Sequence, residues 1–355
     1  YNILLCYSHH NMMKRISLSV FVFAIITLAL GSFSFAQSLR VMTYNTWLLP
    51  EVLELSSTMK DKDLRVSNMP EHLASTGSDI IALQEVWTSC SASSLIDEMT
   101  GLGYSFHAQL QKQTWSDLFR GRGCFIGNGL LVFSKYPISE RMDQLTFPVY
   151  TRLDEYLTLK GAIHLEVLVP ELGWIDFYNT HLGAISYDDR LNDFNFSELT
   201  AHRLQMNYLT QFIRDTRRHP IQIIAGDFNQ DSHPWEPTLL AHNLDKDTEN
   251  YSHFIGSLAL IDTFREMNGH KNEQYTYDKI RNPYVRNGKF SKAPSETEDY
   301  IFITRDQSRL RINQSQLELD YPIHRKDGAS AALGSSPESS FFLSDHFAVK
   351  TAFEY

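Results

Sequence analysis

The chain predicts an α/β fold in which sheets are covered by helices. Three observations predict it. Short apolar runs rich in β-branched and aromatic residues recur along the chain, each bounded by Gly, Asn, Asp or His, as strands require. An amphipathic helical pattern stands among them over residues 197–218. The composition, 43% hydrophobic and 12% aromatic over 355 residues, is that of a globular protein.

The elements follow in order. The strand-like run 39–44 leads into Asn45, and 80–83 leads into Gln84 and Glu85. The run 130–133 follows Gly127-Asn128-Gly129, and 163–169 alternates. The run 174–178 leads into Asn179-Thr180-His181, and 221–225 into Gly226-Asp227-Phe228-Asn229. A last run, 347–353, follows Ser344-Asp345-His346. In the helical pattern Leu204, Tyr208 and Phe212 lie four apart, and Leu209 and Ile213 widen the stripe. Shorter helices are expected over 70–76, with Pro70 in the first turn, and over 95–100. No repeat, heptad or linker divides residues 37–355, which are expected to form one catalytic domain acting as a monomer.

Residues 1–36 read as a targeting segment. Lys14 and Arg15 precede an apolar stretch over 16–35, and Ser34-Phe35-Ala36 offers a small-x-small cleavage pattern. Cleavage after Ala36 and secretion are expected, with the residues before Met12 and Met13 read as translated upstream sequence. A retained anchor is the rival, because about 20 apolar residues span a bilayer. Removing Lys14 and Arg15 from 32 basic residues leaves 30 against 42 acids, a formal charge of −12. That balance weighs against a grip on polyanionic DNA, which calls for a basic surface. Beyond the leader only Cys90 and Cys124 remain, either as one disulfide or as two buried thiols.

Polar groups at strand ends are well placed for chemistry, because the sheet is rigid and the loop beyond it is open. Here those ends carry carboxylates, amides and imidazoles, with no paired serine or cysteine nucleophile. The inventory suits a hard cation with oxygen ligands and histidines for proton transfer. It lacks the HExxH and CxxC patterns of zinc sites. Singly each residue has a plain structural reading: a turn amide for Asn45, an Asx-turn for Asp227 and Asn229, a strand cap for His181.

Together they resemble a known family. Met42-Thr43-Tyr44-Asn45, Leu83-Gln84-Glu85-Val86, Asn179-Thr180-His181-Leu182, Gly226-Asp227-Phe228-Asn229, Asp299-Tyr300-Ile301 and Ser344-Asp345-His346 match, in order, motifs of the endonuclease/exonuclease/phosphatase superfamily of DNase I. The resemblance covers about residues 39–355. It implies a four-layered α/β sandwich of the DNase-I-like fold, two mostly antiparallel sheets packed face to face with helices outside. It also implies roles. Glu85, helped by Asn45, would hold Mg²⁺ against a phosphate oxygen, with Mn²⁺ able to use the same ligands. Asp227 and Asn229 would position the attacking water or share a second metal. His346 would be the general base, oriented by Asp299, or a metal ligand, His181 would bind the phosphoryl oxygen or assist the leaving group, and Asp345 would sit at or support the metal. Which histidine takes the proton is open at this stage.

Residues 127–138, GNGLLVFSKYPI, and Lys160-Gly161-Ala162 resemble the neutral sphingomyelinase branch, in which Asn128 would contact the phosphate. Its plain alternative is a left-handed turn between glycines. The resemblance implies a sphingomyelin substrate and contact with a choline phospholipid surface. Trp115, Phe119, Phe341 and Phe342 are the expected aromatic membrane contacts, with Trp235 a further candidate. The Gly- and Ser-containing segment 305–340 reads as a loop, a candidate lipid-contacting hairpin. The alternative within the fold is a secreted metal-dependent nuclease, for which Arg120, Arg122, Arg281 and Arg286 would supply a basic rim.

Overall fold

Strands β1 (Ser38–Leu48) and β2 (Ile80–Val86) are joined through helix α1 (Lys62–Ser75) and run parallel, with Val41 beside Ile80 and Asn45 beside Gln84. The computed structural model describes residues 37–49, 61–109, 127–152, 155, 158–188, 193–232, 244–269, 272–288, 294–324 and 340–355. Helix α2 (Ser89–Gly101), capped by the Thr88 hydroxyl on Ser91 N, leads to β3 (Phe106–Gln109) and β4 (Leu131–Ser134). The first sheet is completed by β13 (Arg311–Glu318) and β16 (Ala348–Glu354), in the order β13-β16-β1-β2-β4-β3.

The second sheet repeats the plan. Strands β5 (Ile138–Thr146), β6 (Gly161–Val169), β7 (Gly173–His181), β10 (Gln222–Asp227), β11 (Leu260–Asp262) and β12 (Asp299–Thr304) take the order β11-β12-β10-β7-β6-β5. Here β7 and β10 are the parallel pair, joined through α3 (Phe196–Thr216); every other pairing in either sheet is antiparallel except β1 with β2. Among the described residues the fold is completed by helices α4 (Leu244–Leu258), α5 (Thr263–Asn268) and α6 (Pro283–Arg286) and by two antiparallel strand pairs, β8 (Tyr187–Asp188) with β9 (Asp193–Phe194) and β14 (Ile323–His324) with β15 (Ser340–Phe341).

Strand alternation sorts the apolar residues into three layers. Val41, Ile80, Ala82 and Val349 of the first sheet meet Ile163, Phe177, Ile223 and Ile301 of the second in a shared core. Met42, Tyr44, Ile81 and Leu83 face outward onto Met69, Leu73, Leu95 and Met99 of α1 and α2. Tyr178, Ile224, Tyr300 and Phe302 face outward onto Met206, Leu209 and Ile213 of α3 and Phe254 of α4. The result is helix, sheet, sheet, helix, the four-layered DNase-I-like sandwich. Residues Ser38–Tyr355 form one unit by their packing. Residues 1–36, expected to be a targeting segment, lie outside the described residues, among which no helix is long and apolar enough to cross a membrane. Cys90 is disulfide-bonded, and Cys124 lies outside the described residues.

Three expectations are corrected. The first helix begins at Lys62, so Pro70 stands well inside it. An interior proline costs about 3 kcal/mol, but burying Met69 and Leu73 returns about 1.5–3 kcal/mol each. On α3 the buried face is Leu199, His202, Met206, Leu209 and Ile213, a clean three-four spacing. Leu204 and Tyr208 therefore stand 42% and 44% exposed. Finally, the segment after Arg305 holds the edge strand β13, paired with β16, in place of a loop.

His202 ties α3 to the second sheet, its Nε2 lying 2.7 Å from the Phe228 carbonyl. Burial, with Lys160 adding to it, lowers the His202 imidazole to about 4 against the Phe228 bond. The unfolded chain then takes up the proton first, so this contribution is complete above the unfolded value near 6.5 and is lost as pH falls toward 4. The loss is of order 3 kcal/mol. Urea unfolding followed from pH 7 to pH 4 is expected to show a shallower decline for His202→Gln than for the parent; equal slopes would contradict it.

Candidate active site

Parallel strands end at the same edge of a sheet, and their antiparallel neighbours begin there. Hence β1, β2, β7 and β10 deliver Asn45, Glu85, His181 and Asp227 at or near their carboxyl ends, while β12 starts with Asp299 and His346 lies two residues before β16. Register aligns them: Asp227 sits beside His181 on one side and Asp299 on the other, a polar row across three strands. All three continue the inward faces of their strands, so the apolar interior turns polar at this edge.

A buried amide layer separates the two regimes. Gln84 Nε2 donates to Asn179 Oδ1 (2.8 Å) and to Thr43 Oγ1 (3.0 Å), and Asn179 Nδ2 donates to the Leu83 carbonyl (3.0 Å). Above it Asn45 Nδ2 bridges the sheets, donating to Asp227 Oδ2 at 2.7 Å and to Glu85 Oε1 at 3.3 Å. The Asn45 oxygen accepts Trp47 N at 3.0 Å, so Asn45 meets the carboxylates through nitrogen. Glu85 reaches the site although Gln84 also points inward, because its backbone is left-handed, φ 62°. That breaks strand alternation at a cost of order 1 kcal/mol, a strain typical of functional positions.

The two histidines have opposite surroundings. His346 Nδ1 lies 2.8 Å from Asp299 Oδ2. Burial disfavours its charged form, but the charge and hydrogen bond of Asp299, then Asp345 and Asp227, outweigh it and hold the imidazole well above its usual range. His181 Nε2 stands 3.4 Å from Asp227 Oδ2 and 3.9 Å from Glu85 Oε1. Burial, with Lys160 and His346 nearby, keeps it well below the usual range and so neutral. Burial and the neighbouring Asp299 push Asp227 up to about 7. Burial, with Glu85, raises Asp345 to about 6 against His346 and Arg65.

Asn229 donates its backbone N–H to Asp227 Oδ1 (2.8 Å) and its side chain to the Leu182 carbonyl (3.0 Å). Asn128 accepts Leu130 N (3.1 Å); the left-handed residue of that turn is Gly129, φ 77°, not Asn128. A Cβ at Gly129 would come within 2.8 Å of the Trp87 ring, which in turn lies 5.9 Å from the His181 ring. Asp345 accepts Ser344 Oγ at 3.2 Å. The expected membrane contacts Phe341 and Phe342 are buried, Phe341 in the core under α1 and Phe342 against Phe347, and are withdrawn from that role. Trp115, Phe119, Trp235, Arg120 and Arg122 lie outside the described residues. Arg281 pairs with Asp320.

Sequence reasoning missed three contributors. Glu298, whose carboxyl is raised well above its range by burial and Asp227, stands 4.0 Å from His346 Nε2. Arg65, fully buried, donates to the carbonyls of Thr46, Trp47 and Leu343 and so pins the β1 end to the loop carrying Asp345. Asn282 Nδ2 holds the Ser344 and Asp345 carbonyls from the other side. A lone Arg within a helix and a lone Asn before a proline carry no signal that could have found them.

The donor set fits a divalent cation. Asp227, Asp299 and His346 offer ligand atoms within 4.8 Å of one another. Glu85 Oε2 and Asp299 Oδ1 are buried acceptors without a partner, and Asn128 Nδ2 and both nitrogens of His181 are likewise unmet. Each such group costs about 1–3 kcal/mol, so their concentration at one edge marks a ligand: acceptors toward a cation, donors toward an oxyanion.

This fold with this donor set is that of a metal-dependent phosphoesterase. The chain belongs to the endonuclease/exonuclease/phosphatase family, whose model matches residues 42–346. It is similar to a Caenorhabditis elegans protein named as a neutral sphingomyelinase, 25% identical over 304 residues, which cover 80% of this chain and 62% of the relative. It is also similar to an inositol phosphosphingolipids phospholipase C of Schizosaccharomyces pombe, 30% identical over 205 residues, 55% of this chain and 42% of the relative. The chain thus spans about three fifths of the first relative and about two fifths of the second. Among solved structures, sphingomyelinase C from Streptomyces griseocarneus shares the fold, with a TM-score of 0.60 and 19% identity over 89% of this chain and 99% of that one.

Proposed function

We propose that the protein hydrolyses sphingomyelin to ceramide and phosphocholine with the help of a divalent cation, Mg²⁺ or Mn²⁺. The observation that carries the chemistry is the cross-sheet cluster of Asn45, Glu85, Asp227, Asp299 and His346 with its unmet buried acceptors. The lipid substrate is supported by the names of the relatives, and the acidic composition does not oppose it, because a zwitterionic headgroup needs no basic groove.

Glu85 and Asp227, steered by Asn45, would hold the cation, with Asp345 supporting it. When bound, that cation neutralises charge growing on a non-bridging phosphate oxygen. His346 Nε2 takes a proton from the attacking water as the new P–O bond forms, and Asp299 stabilises the imidazolium through Nδ1. Neutral His181 and the Asn128 amide donate to phosphoryl oxygens. The P–O bond to the ceramide oxygen breaks, and that oxygen takes up a proton. Export after cleavage behind Ala36 belongs to the same proposal. The test is phosphocholine release from sphingomyelin vesicles with Mg²⁺ and with EDTA, beside plasmid DNA. Release that EDTA abolishes supports the reading; DNA cleavage without phosphocholine release would replace it by a nuclease.

A further inference from the structure

A cavity of about 220 Å³ lies beside the end of β7, walled by Phe147, Tyr150, Glu155, Lys160 and Gln205. Its near wall is one carbonyl from the catalytic cluster: Lys160 Nζ (2.9 Å) and Asn229 Nδ2 (3.0 Å) both donate to the oxygen of Leu182. Its far wall carries Glu155, only 8% exposed, whose Oε1 accepts Ala184 N at 2.7 Å. Buried carboxylates normally face a counter-charge. Glu155 has no ion-pair partner among the described residues, while its nearest fixed contacts are backbone and amide. Gly183 lets the loop lie this close, since a Cβ there would come within 2.9 Å of Glu155 Oε1 and 3.1 Å of Gln205 Nε2.

The two charges are therefore pinned to Leu182 and Ala184, two residues of one loop and at most about 7 Å of chain apart. Positive charge stands next to the phosphate site and negative charge farther out. That polarity complements a zwitterionic headgroup, anionic phosphate inward and cation outward. The rest of the lining is mostly apolar, Pro148, Val149 and Leu159 with buried Phe147 and half-exposed Tyr150, and Thr146 adds one hydroxyl, which suits a cation that needs few hydrogen-bond acceptors. Aromatic faces with a carboxylate are the usual recognition of quaternary ammonium.

We propose that this cavity seats the trimethylammonium group of a choline headgroup between Tyr150, Phe147 and Glu155. The inference rests on the phosphodiesterase reading above and adds the determinant of headgroup choice. The experiment uses hydrolysis of bis(4-nitrophenyl) phosphate, which has no ammonium, inhibited by phosphocholine or by ethyl phosphate. Phosphocholine is expected to inhibit the parent protein more strongly, and Tyr150→Ala and Glu155→Gln to erase that advantage, by roughly 2- to 30-fold from the strength of a cation–π contact. Each variant is read as the ratio of its two inhibition constants, which a change in basal rate does not move, and its melting temperature shows that it is folded. An advantage that survives both variants overturns the proposal. Failure of the lipid reading is separate: a parent protein that cleaves the small diester but not sphingomyelin sinks the substrate, whatever phosphocholine does.

Discussion

Replacing His346 by alanine is expected to lower phosphodiester hydrolysis by about two to four orders of magnitude, the range that general-base catalysis supplies. The expectation follows from the 2.8 Å contact with Asp299, which fixes the ring and leaves Nε2 for water. A base must be unprotonated to act, so activity falls as pH drops through its pKa. Asp299 raises that pKa. Asp299→Asn should therefore move the acid limb of the pH profile to lower pH while also reducing the maximum rate. His181→Ala removes a donor and not the base, so it should lower the rate without displacing that limb. A profile shifted by His181→Ala and untouched by Asp299→Asn would assign the proton to the other histidine.

The second large effect concerns stability and function in opposite directions. Burial and the proximity of Asp299 push Asp227 up to about 7. Its folded pKa thus exceeds the unfolded value, so metal-free stability declines as pH rises between the two, by on the order of a few kcal/mol. Asp227→Asn keeps the shape and removes the charge. We expect the variant to melt higher than the parent without metal at pH 8, yet to lose the rise in melting temperature that Mg²⁺ gives the parent. Hydrolysis should fall with it. A variant less stable than the metal-free parent, still stabilised by Mg²⁺, would place the cation elsewhere.

Much of this site was legible because each apolar strand run ends in a group that can do chemistry, and the motifs stand in family order. What sequence could not show was how those ends meet. Nothing in Leu83-Gln84-Glu85 marks the left-handed backbone that turns Gln84 and Glu85 both inward. Glu298 precedes the Asp299-Tyr300-Ile301 motif and belongs to none of the matched motifs, yet it lies against His346. Strand β13, Arg311–Glu318, is an edge strand with mostly polar, partly exposed residues, and such edges hide from an apolar count. Phe341 and Phe342 were misplaced for the opposite reason. An apolar pair beside a catalytic motif is more often core than contact surface, and β15 folds it inward.

The position of β16 sets the timing of activity. His346 lies two residues before this strand, which pairs in the sheet with β13 on one side and with β1, distant in sequence, on the other. Until β16 has left the ribosome and found β1, the carboxylates of Glu85 and Asp227 have no partner base. The site is thus complete only once β16 has closed the first sheet against β1.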